Sequence, residues 1–167
     1  PKSKVSSHYL INRTGKVYRL MEDNRIAWHA GKSCWAKYKN LNKNSIGIEL
    51  ENKGHLLGYS NFSQKQLLSL IKICKILIKK YKIKKRNVVG HSDIAPLRKN
   101  DPGEKFPWQK LANNRIGFWH HCKPTMLRKH RNIKILKKKD KIKFINNLNK
   151  IGYCFSSKKK YFLMKIV

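Results

Sequence analysis

Between Ser63 and Ile83 the chain reads SQKQLLSLIKICKILIKKYKI, and its apolar residues recur at helical spacing. Leu67, Leu70, Ile71, Cys74, Leu77, Ile78 and Tyr81 fall on one face of a 3.6-residue period. Ser63 followed by Gln66 is capping-box chemistry, and the lysines of the last turns favour the helix dipole. A helix with one apolar stripe must bury it against another layer. The flanking segments carry a different period. Ser6 to Met21 alternates around Arg13-Thr14-Gly15, which predicts a β-hairpin with Gly15 supplying positive φ. Ser45 to Glu51, SIGIELE, sets Ile46, Ile48 and Leu50 against Gly47, Glu49 and Glu51, a second strand pattern. Asn87-Val88-Val89 reads as a short apolar strand after the helix, and Pro107 opens a short helix ending near Leu111. This order predicts an α/β fold, a mixed central sheet flanked by helices.

With 167 residues, the chain has room for one ordinary domain and a small appendage. Past about Asn113 its character changes. HHCKPTMLRKHRNIKILKKKDK is basic and poorly periodic, as a linker or a surface segment would be. IKFINNLNKIGY then places Ile142, Phe144, Ile145, Leu148 and Ile151 at helical spacing, closed by Gly152, and YFLMKIV begins another apolar run. The expected organisation is an α/β domain over 1–112, a basic linker over 113–138 and the start of a small helical module over 139–167.

The charge balance is 40 Lys and Arg against 8 Asp and Glu, a net +32. Such a field draws polyanions, whether nucleic acid, an anionic membrane surface or the acidic polymer of a bacterial wall. Compositional drift explains it equally well, since Lys, Asn and Ile abound where no pattern exists. No helix-turn-helix, zinc-finger spacing or RNA-binding aromatic motif is present, so no specific nucleic-acid partner is expected. No apolar run reaches the roughly 18 residues of a transmembrane segment. The opening PKSKVSSHYL has neither an initiator Met nor an apolar signal region, and reads as the continuation of a longer sequence. Cys34, Cys74, Cys122 and Cys154 are far apart and imply neither a zinc ribbon nor a disulfide framework. Cys74, inside the helical pattern, reads as a small buried hydrophobe.

The stretch GHSDIAPLRKNDPG, Gly90 to Gly103, admits two readings. In one, His91 after a strand and Asp101 on a returning loop are ligands of the kind Zn²⁺ accepts, with Pro96 and Pro102 stiffening the loop. In the other, His91 caps a strand, Asp93 makes an Asx-turn and Asp101-Pro102-Gly103 is a turn. Glu49 lies on the strand face away from Ile46, Ile48 and Leu50, where solvent is the default. On the floor of a cleft, the same carboxylate would be a general base. Lys99, two residues before Asp101, could face a developing oxyanion or simply be a solvated surface lysine.

SSHYLINRTGKVY, AWHAGKSCW, NSIGIELEN, a helix and then VVGHSDIAPLRKNDPGEKFPW stand in one collinear order from about Val5 to Leu111. Together they resemble the zinc N-acetylmuramoyl-L-alanine amidases, in the AmpD/AmiD-like branch of the family that includes phage amidases and peptidoglycan recognition proteins. The resemblance implies a mixed sheet with helices and a zinc held in a groove by two histidines and an aspartate, or by a cysteine in some phage members. Carried over by motif, it places zinc ligands at His91 and Asp101, the catalytic acid/base at Glu49 and an oxyanion-stabilising lysine at Lys99. His29 of AWHAG, with Asn44 and Trp35, falls where relatives line the substrate groove. His8 is expected to be structural or to support a ligand, not to be one; Trp28 could also line the groove, with the core its expected place.

The implied reaction cleaves the amide between the lactyl group of N-acetylmuramic acid and L-alanine of the stem peptide, in peptidoglycan or soluble muropeptides. A monomer in the periplasm, cell envelope or exterior is the family expectation, with a helical peptidoglycan-binding module at the C-terminus. The family's first zinc ligand sits in an HYT-like motif upstream of the SSHYL hairpin, and this chain begins after that point. The alternative expectation is therefore a non-catalytic or degenerate peptidoglycan-binding fragment with an incomplete zinc site.

Overall fold

Three short strands make the sheet on which the predicted hairpin and the SIGIELE segment meet. A computed structural model describes residues 5–131 and 133–155 of the chain, with Arg131 by its backbone alone. Strands β1 (Tyr9–Ile11) and β2 (Val17–Arg19) are antiparallel, joined through Gly15 at φ 87°. Two further short strands, β3 (Cys34–Trp35) and β4 (Tyr38–Lys39), form a separate ribbon. Strand β5 (Ile48–Leu50) joins β1 in parallel, so the sheet order is β2-β1-β5 and the sheet is mixed. Tyr9 pairs with Ile48 and Ile11 with Leu50, while Leu10 pairs with Glu49. Alternation therefore puts Ile11, Ile48 and Leu50 towards the core and Glu49 on the opposite face.

A four-residue helix, α1 (Gly54–Leu57), precedes α2 (Gln64–Tyr81), which buries Leu67, Leu70, Ile71, Cys74 and Leu77. Of these, Leu67, Leu70, Ile71 and Cys74 pack with Ile11, Phe106, Leu111 and Ile116 in the main core. Burying each large aliphatic side chain contributes about 1.5–3 kcal/mol, so this stripe dominates the layer contact. Ser63 caps α2 by accepting the Gln66 N–H at 3.1 Å. The other half of the expected capping box is replaced. Gln66 turns inward and donates Nε2 to the carbonyls of Ile11 (2.9 Å) and Glu51 (3.2 Å), tying α2 to the ends of β1 and β5. At the far end of α2, Lys80 and Tyr81 donate to Asp23, which also accepts from Tyr9.

The Asn87-Val88-Val89 strand is not formed: a 3-10 turn covers Lys85–Asn87, Val88 is extended, and neither Val88 nor Val89 has a ladder partner. His91 consequently opens a helix, α3 (His91–Ile94), instead of ending a strand. Helix α4 (Trp108–Asn113) begins just after Pro107, as expected. The stretch read as a linker contains a two-turn helix, α5 (Pro124–Arg131), with proline at its first position. Helix α6 (Lys138–Ile151) follows and stops at Gly152, whose φ is 145°. The apolar run over 161–167 lies outside the described residues.

Two other expectations are overturned. Trp28 is 61% exposed, not core: its backbone is held to Ser6, through the N–H to Ser6 Oγ at 2.8 Å and the carbonyl from the Ser6 N–H at 3.2 Å, and its side chain is left outside. Cys34 and Cys154, 120 positions apart, form a disulfide. Their separation hid the pair, since spacing in sequence carries no information on contacts made by a segment that folds back. Cys74 is buried as expected, and burial pushes its thiol up to about 12.

Candidate active site

Glu49, His91, Lys99 and Asp101 come from three structural contexts and share one electrostatic neighbourhood. Strand β5 projects Glu49 away from the core. His91 begins α3, and the loop after α3 returns Asp101 so that its carbonyl accepts the Ser92 N–H at 2.8 Å. His91 Nδ1 stands 3.0 Å from Asp101 Oδ2, and His91 Nε2 stands 3.2 Å from the Ala30 carbonyl. Burial raises the Glu49 carboxyl above its ordinary value and the Asp101 charge adds to this, with His91 and Lys99 opposing. For Asp101, burial also acts upward, but the hydrogen bond and charge of His91, helped by Lys99, bring the carboxyl below its usual range. Glu49 keeps the exposed side of β5 that alternation gives it, and on that side it meets the charges of Asp101, His91 and Lys99.

The loop is held from several sides. Arg98 donates Nη2 to the carbonyls of Ala30 (2.8 Å) and Lys32 (3.2 Å), and Lys99 N–H donates to Ala95 at 3.0 Å. Asp93 accepts the Gly90 N–H at 2.8 Å, which closes the first turn of α3. Asn42, buried, accepts the N–H groups of Ala30 (2.7 Å) and Gly31 (3.2 Å) and so shapes the strand of chain facing His91. Sequence reasoning missed Asn42 and Arg98. Both act on backbone groups, and a polar side chain's backbone partner leaves no periodic signal.

His8 is fully buried and structural. Gly47 N–H donates to its Nδ1 at 3.0 Å, so Nε2 carries the proton and donates to the Arg25 carbonyl at 3.0 Å. His29 lies edge-on to His8 with centroids 5.4 Å apart; its Nδ1 bonds to the Ala27 carbonyl, and Nε2 is 3.0 Å from Ser45 Oγ. Burial first, then the nearby His8 and His91, lower its pKa to about 4, so it is neutral near pH 7. Asn44 is exposed at the end of the 3-10 turn Leu41–Lys43 and donates to the Lys39 carbonyl at 3.2 Å. Trp35 does not line the groove: it is 5% exposed, and it donates Nε1 to the Arg86 carbonyl at 2.9 Å. An indole with its polar edge satisfied and its faces covered belongs to the core.

A cavity of about 490 Å³ adjoins the 91–103 loop. His55, Asp93, Lys99, Glu104, Trp108 and Tyr153 line it, whereas Glu49, His91 and Asp101 do not. Lys99 alone of the four belongs both to this cavity and to the electrostatic surroundings of Glu49 and Asp101.

The donor pair suits zinc in kind. Zn²⁺ takes imidazole nitrogen and carboxylate oxygen, and two donors on a tetrahedral ion at about 2.1 Å stand roughly 3.4 Å apart. His91 Nδ1 and Asp101 Oδ2, at 3.0 Å, need open only slightly. In number the set is short. A catalytic zinc takes three protein donors, and among the described residues no three His, Cys, Asp or Glu side chains converge.

Residues 1–104 match the family described as Amidase_2, N-acetylmuramoyl-L-alanine amidase. The chain belongs to this family. It is 44% identical over 128 residues to the N-acetylmuramoyl-L-alanine amidase AmiD of Escherichia coli, covering 70% of this chain and 46% of that protein. It is 40% identical over 112 residues to the 1,6-anhydro-N-acetylmuramyl-L-alanine amidase AmpD of Haemophilus influenzae, covering 66% of this chain and 59% of the relative. The chain thus spans about half the length of the curated relatives it matches. In three dimensions it superposes on E. coli AmiD in complex with anhydro-N-acetylmuramic acid-L-Ala-D-gamma-Glu-L-Lys, with TM-score 0.78 and 36% identity, over 93% of this chain and 65% of that one. This coverage exceeds what residues 1–112 supply, so the likeness to AmiD extends into the C-terminal segment. The α/β amidase fold expected from the motifs is the fold observed.

Proposed function

We propose that this amidase-family chain hydrolyses the amide bond between N-acetylmuramic acid and the L-alanine of a peptidoglycan stem peptide. The observation that supports the reading is the pairing of His91 Nδ1 with Asp101 Oδ2 at 3.0 Å, with Glu49 and Lys99 near enough for charge to act between them and that pair. The muropeptide bound by the structurally similar AmiD supports the same substrate class. His91 and Asp101 would hold zinc, together with a third donor that is not among those the described residues bring there. Bound zinc supplies an activated water and polarises the scissile carbonyl.

The chain's own groups account for the remaining steps. Glu49, with its carboxyl raised towards the working range of a general base, takes the proton of the attacking water. It then returns that proton to the departing amine of L-alanine. Lys99 presents an ammonium to the carbonyl oxygen as negative charge develops on it. Arg98 and Asn42 hold the two backbone walls in register. His29, neutral near pH 7, and Asn44 line the approach to the groove for the sugar-peptide substrate. Residues 1–112 form the amidase domain, 113–138 a basic connection and 139–167 part of a helical wall-binding module. The cell envelope or the exterior is the site of action that fits a peptidoglycan substrate.

A second reading, a peptidoglycan binder without turnover, is favoured by one observation: the described residues bring together two donors and no third. Zinc titration of the chain with an anhydromuropeptide present, read by mass spectrometry, separates the two. Release of the free stem peptide with bound zinc supports the hydrolase. Muropeptide binding with neither zinc uptake nor cleavage establishes the binder.

A further inference from the structure

The segment after α6 reaches back to the first turn of α3, the turn that carries His91. Tyr153 donates its hydroxyl to Asp93 Oδ1 at 2.5 Å. The other oxygen of Asp93 accepts the Gly90 N–H at 2.8 Å, and the Asp93 N–H donates back to the Gly90 carbonyl at 3.1 Å. A single carboxylate therefore links the C-terminal tyrosine to the residue immediately before His91. Burial, followed by the Asp93 hydrogen bond and charge, raises the Tyr153 phenol, which keeps it a proton donor across the ordinary pH range.

Tyr153 is itself held firmly. Its ring meets Trp35 edge-on at 5.2 Å and stacks on Phe155 at 5.9 Å. Gly152 passes so close to Trp35 that an added Cβ would lie 2.7 Å from the indole, and its carbonyl accepts the Ala36 N–H at 2.6 Å. Cys154 is bonded to Cys34. Three consecutive residues, 152 to 154, thus fasten to β3 and its turn, and the middle one reaches on to α3.

We propose that Tyr153 is a positioning residue for the groove: through Asp93 it fixes the first turn of α3 and with it the direction of the His91 imidazole. The segment expected to be only an appended module then completes the support of the amidase site. This rests on the reading of His91 as a zinc ligand. Groups bonded directly to a metal ligand set its orientation, and losing one costs about 10–100-fold in metal affinity; Tyr153 acts further back, through Asp93 and the Gly90 backbone, so the lower end of that range is expected.

The test compares the full chain with Tyr153→Phe, which removes one hydroxyl and keeps the ring, and with Asp93→Asn, which has one acceptor oxygen where the carboxylate uses two and so cannot serve both the Gly90 N–H and the Tyr153 hydroxyl as acceptor. Amide exchange is measured without metal, and Zn²⁺ affinity by titration. Both variants should speed exchange over 90–94 at least about 10-fold, leave α2 amides unchanged and weaken zinc by about 10-fold or more. Parent-like exchange at 90–94 in Tyr153→Phe overturns the proposal, as does equal acceleration in α2, which marks a merely structural role. If the parent takes up no zinc, the metal reading of His91 fails, and the exchange measurement alone decides the role of Tyr153.

Discussion

The imidazole of His29 rests on Gly47 so closely that a Cβ at position 47 would stand 2.4 Å from the ring's Cγ. Gly47 also donates its N–H to His8 and accepts from the N–H groups of His8 and Tyr9, so its backbone is held where it is. Neither side can yield without losing hydrogen bonds. Gly47→Ala should therefore destabilise the fold by about 1–3 kcal/mol and displace His29. Urea denaturation measures the first effect, and the His29 imidazole shifts in an NMR spectrum report the second. An unchanged midpoint would show that the ring moves aside at no cost.

His29 also predicts an acid-side loss of stability. Its folded pKa of about 4 lies below the ordinary histidine value of 6.5. Above pH 6.5 both folded and unfolded chains carry it neutral, and its contribution is fully present. As pH falls from about 6.5 to about 4 the unfolded chain takes up a proton that the folded chain refuses, and stability declines by up to about 3 kcal/mol. Below pH 4 nothing more is lost from this group. Denaturation midpoints followed from pH 7 to pH 4 should drop less for His29→Asn than for the parent chain; parallel curves would remove His29 as the cause.

Local pattern exposed the elements whose partners are periodic. The stripe on α2, the hairpin turn at Gly15 and the alternation of SIGIELE each state their own burial, and the structure places them accordingly. The motif order was enough to bring out the family. What sequence could not display were contacts made at long range or to backbone. The Cys34–Cys154 bond, the Tyr153–Asp93 contact and the turn of Gln66 away from its own cap are all of this kind. Val88 and Val89 look like strand residues because burial favours β-branched side chains even where no neighbouring strand is available. Trp35 was misplaced for a related reason: a motif match carries a residue's position but not whether its indole faces outward.

Glu49 separates catalysis from metal binding. The carboxylate is not within the His91–Asp101 pair, yet burial and the Asp101 charge hold its carboxyl above the ordinary range. Removing a positioned general base lowers turnover by about 10²–10⁴-fold. Glu49→Ala and Glu49→Gln should lose turnover to that extent while binding zinc like the parent. His91→Ala should lose both. In an active enzyme the acid limb of the rate profile should also fall above the ordinary glutamate range, since Glu49 must be ionised to accept a proton. Parent-like turnover in Glu49→Gln would reassign the base.

The Cys34–Cys154 bond closes a loop across 120 positions and fastens the end of α6 to β3. A cross-link over so long a span restricts the unfolded chain strongly, and losing one typically costs about 2–4 kcal/mol. Two thiols remain, Cys74 buried and Cys122 exposed. Alkylation of the native chain should therefore label Cys122 alone, denaturation without reductant should add Cys74, and reduction should expose all four cysteines. Cys34→Ser should lower the denaturation midpoint to that of the reduced parent, and reducing the variant should lower it no further. Because the bond adjoins Tyr153, the same substitution should also loosen the amides of α3 more than those of α2. Four reactive thiols in the denatured, unreduced chain would show that the two cysteines stand side by side without bonding.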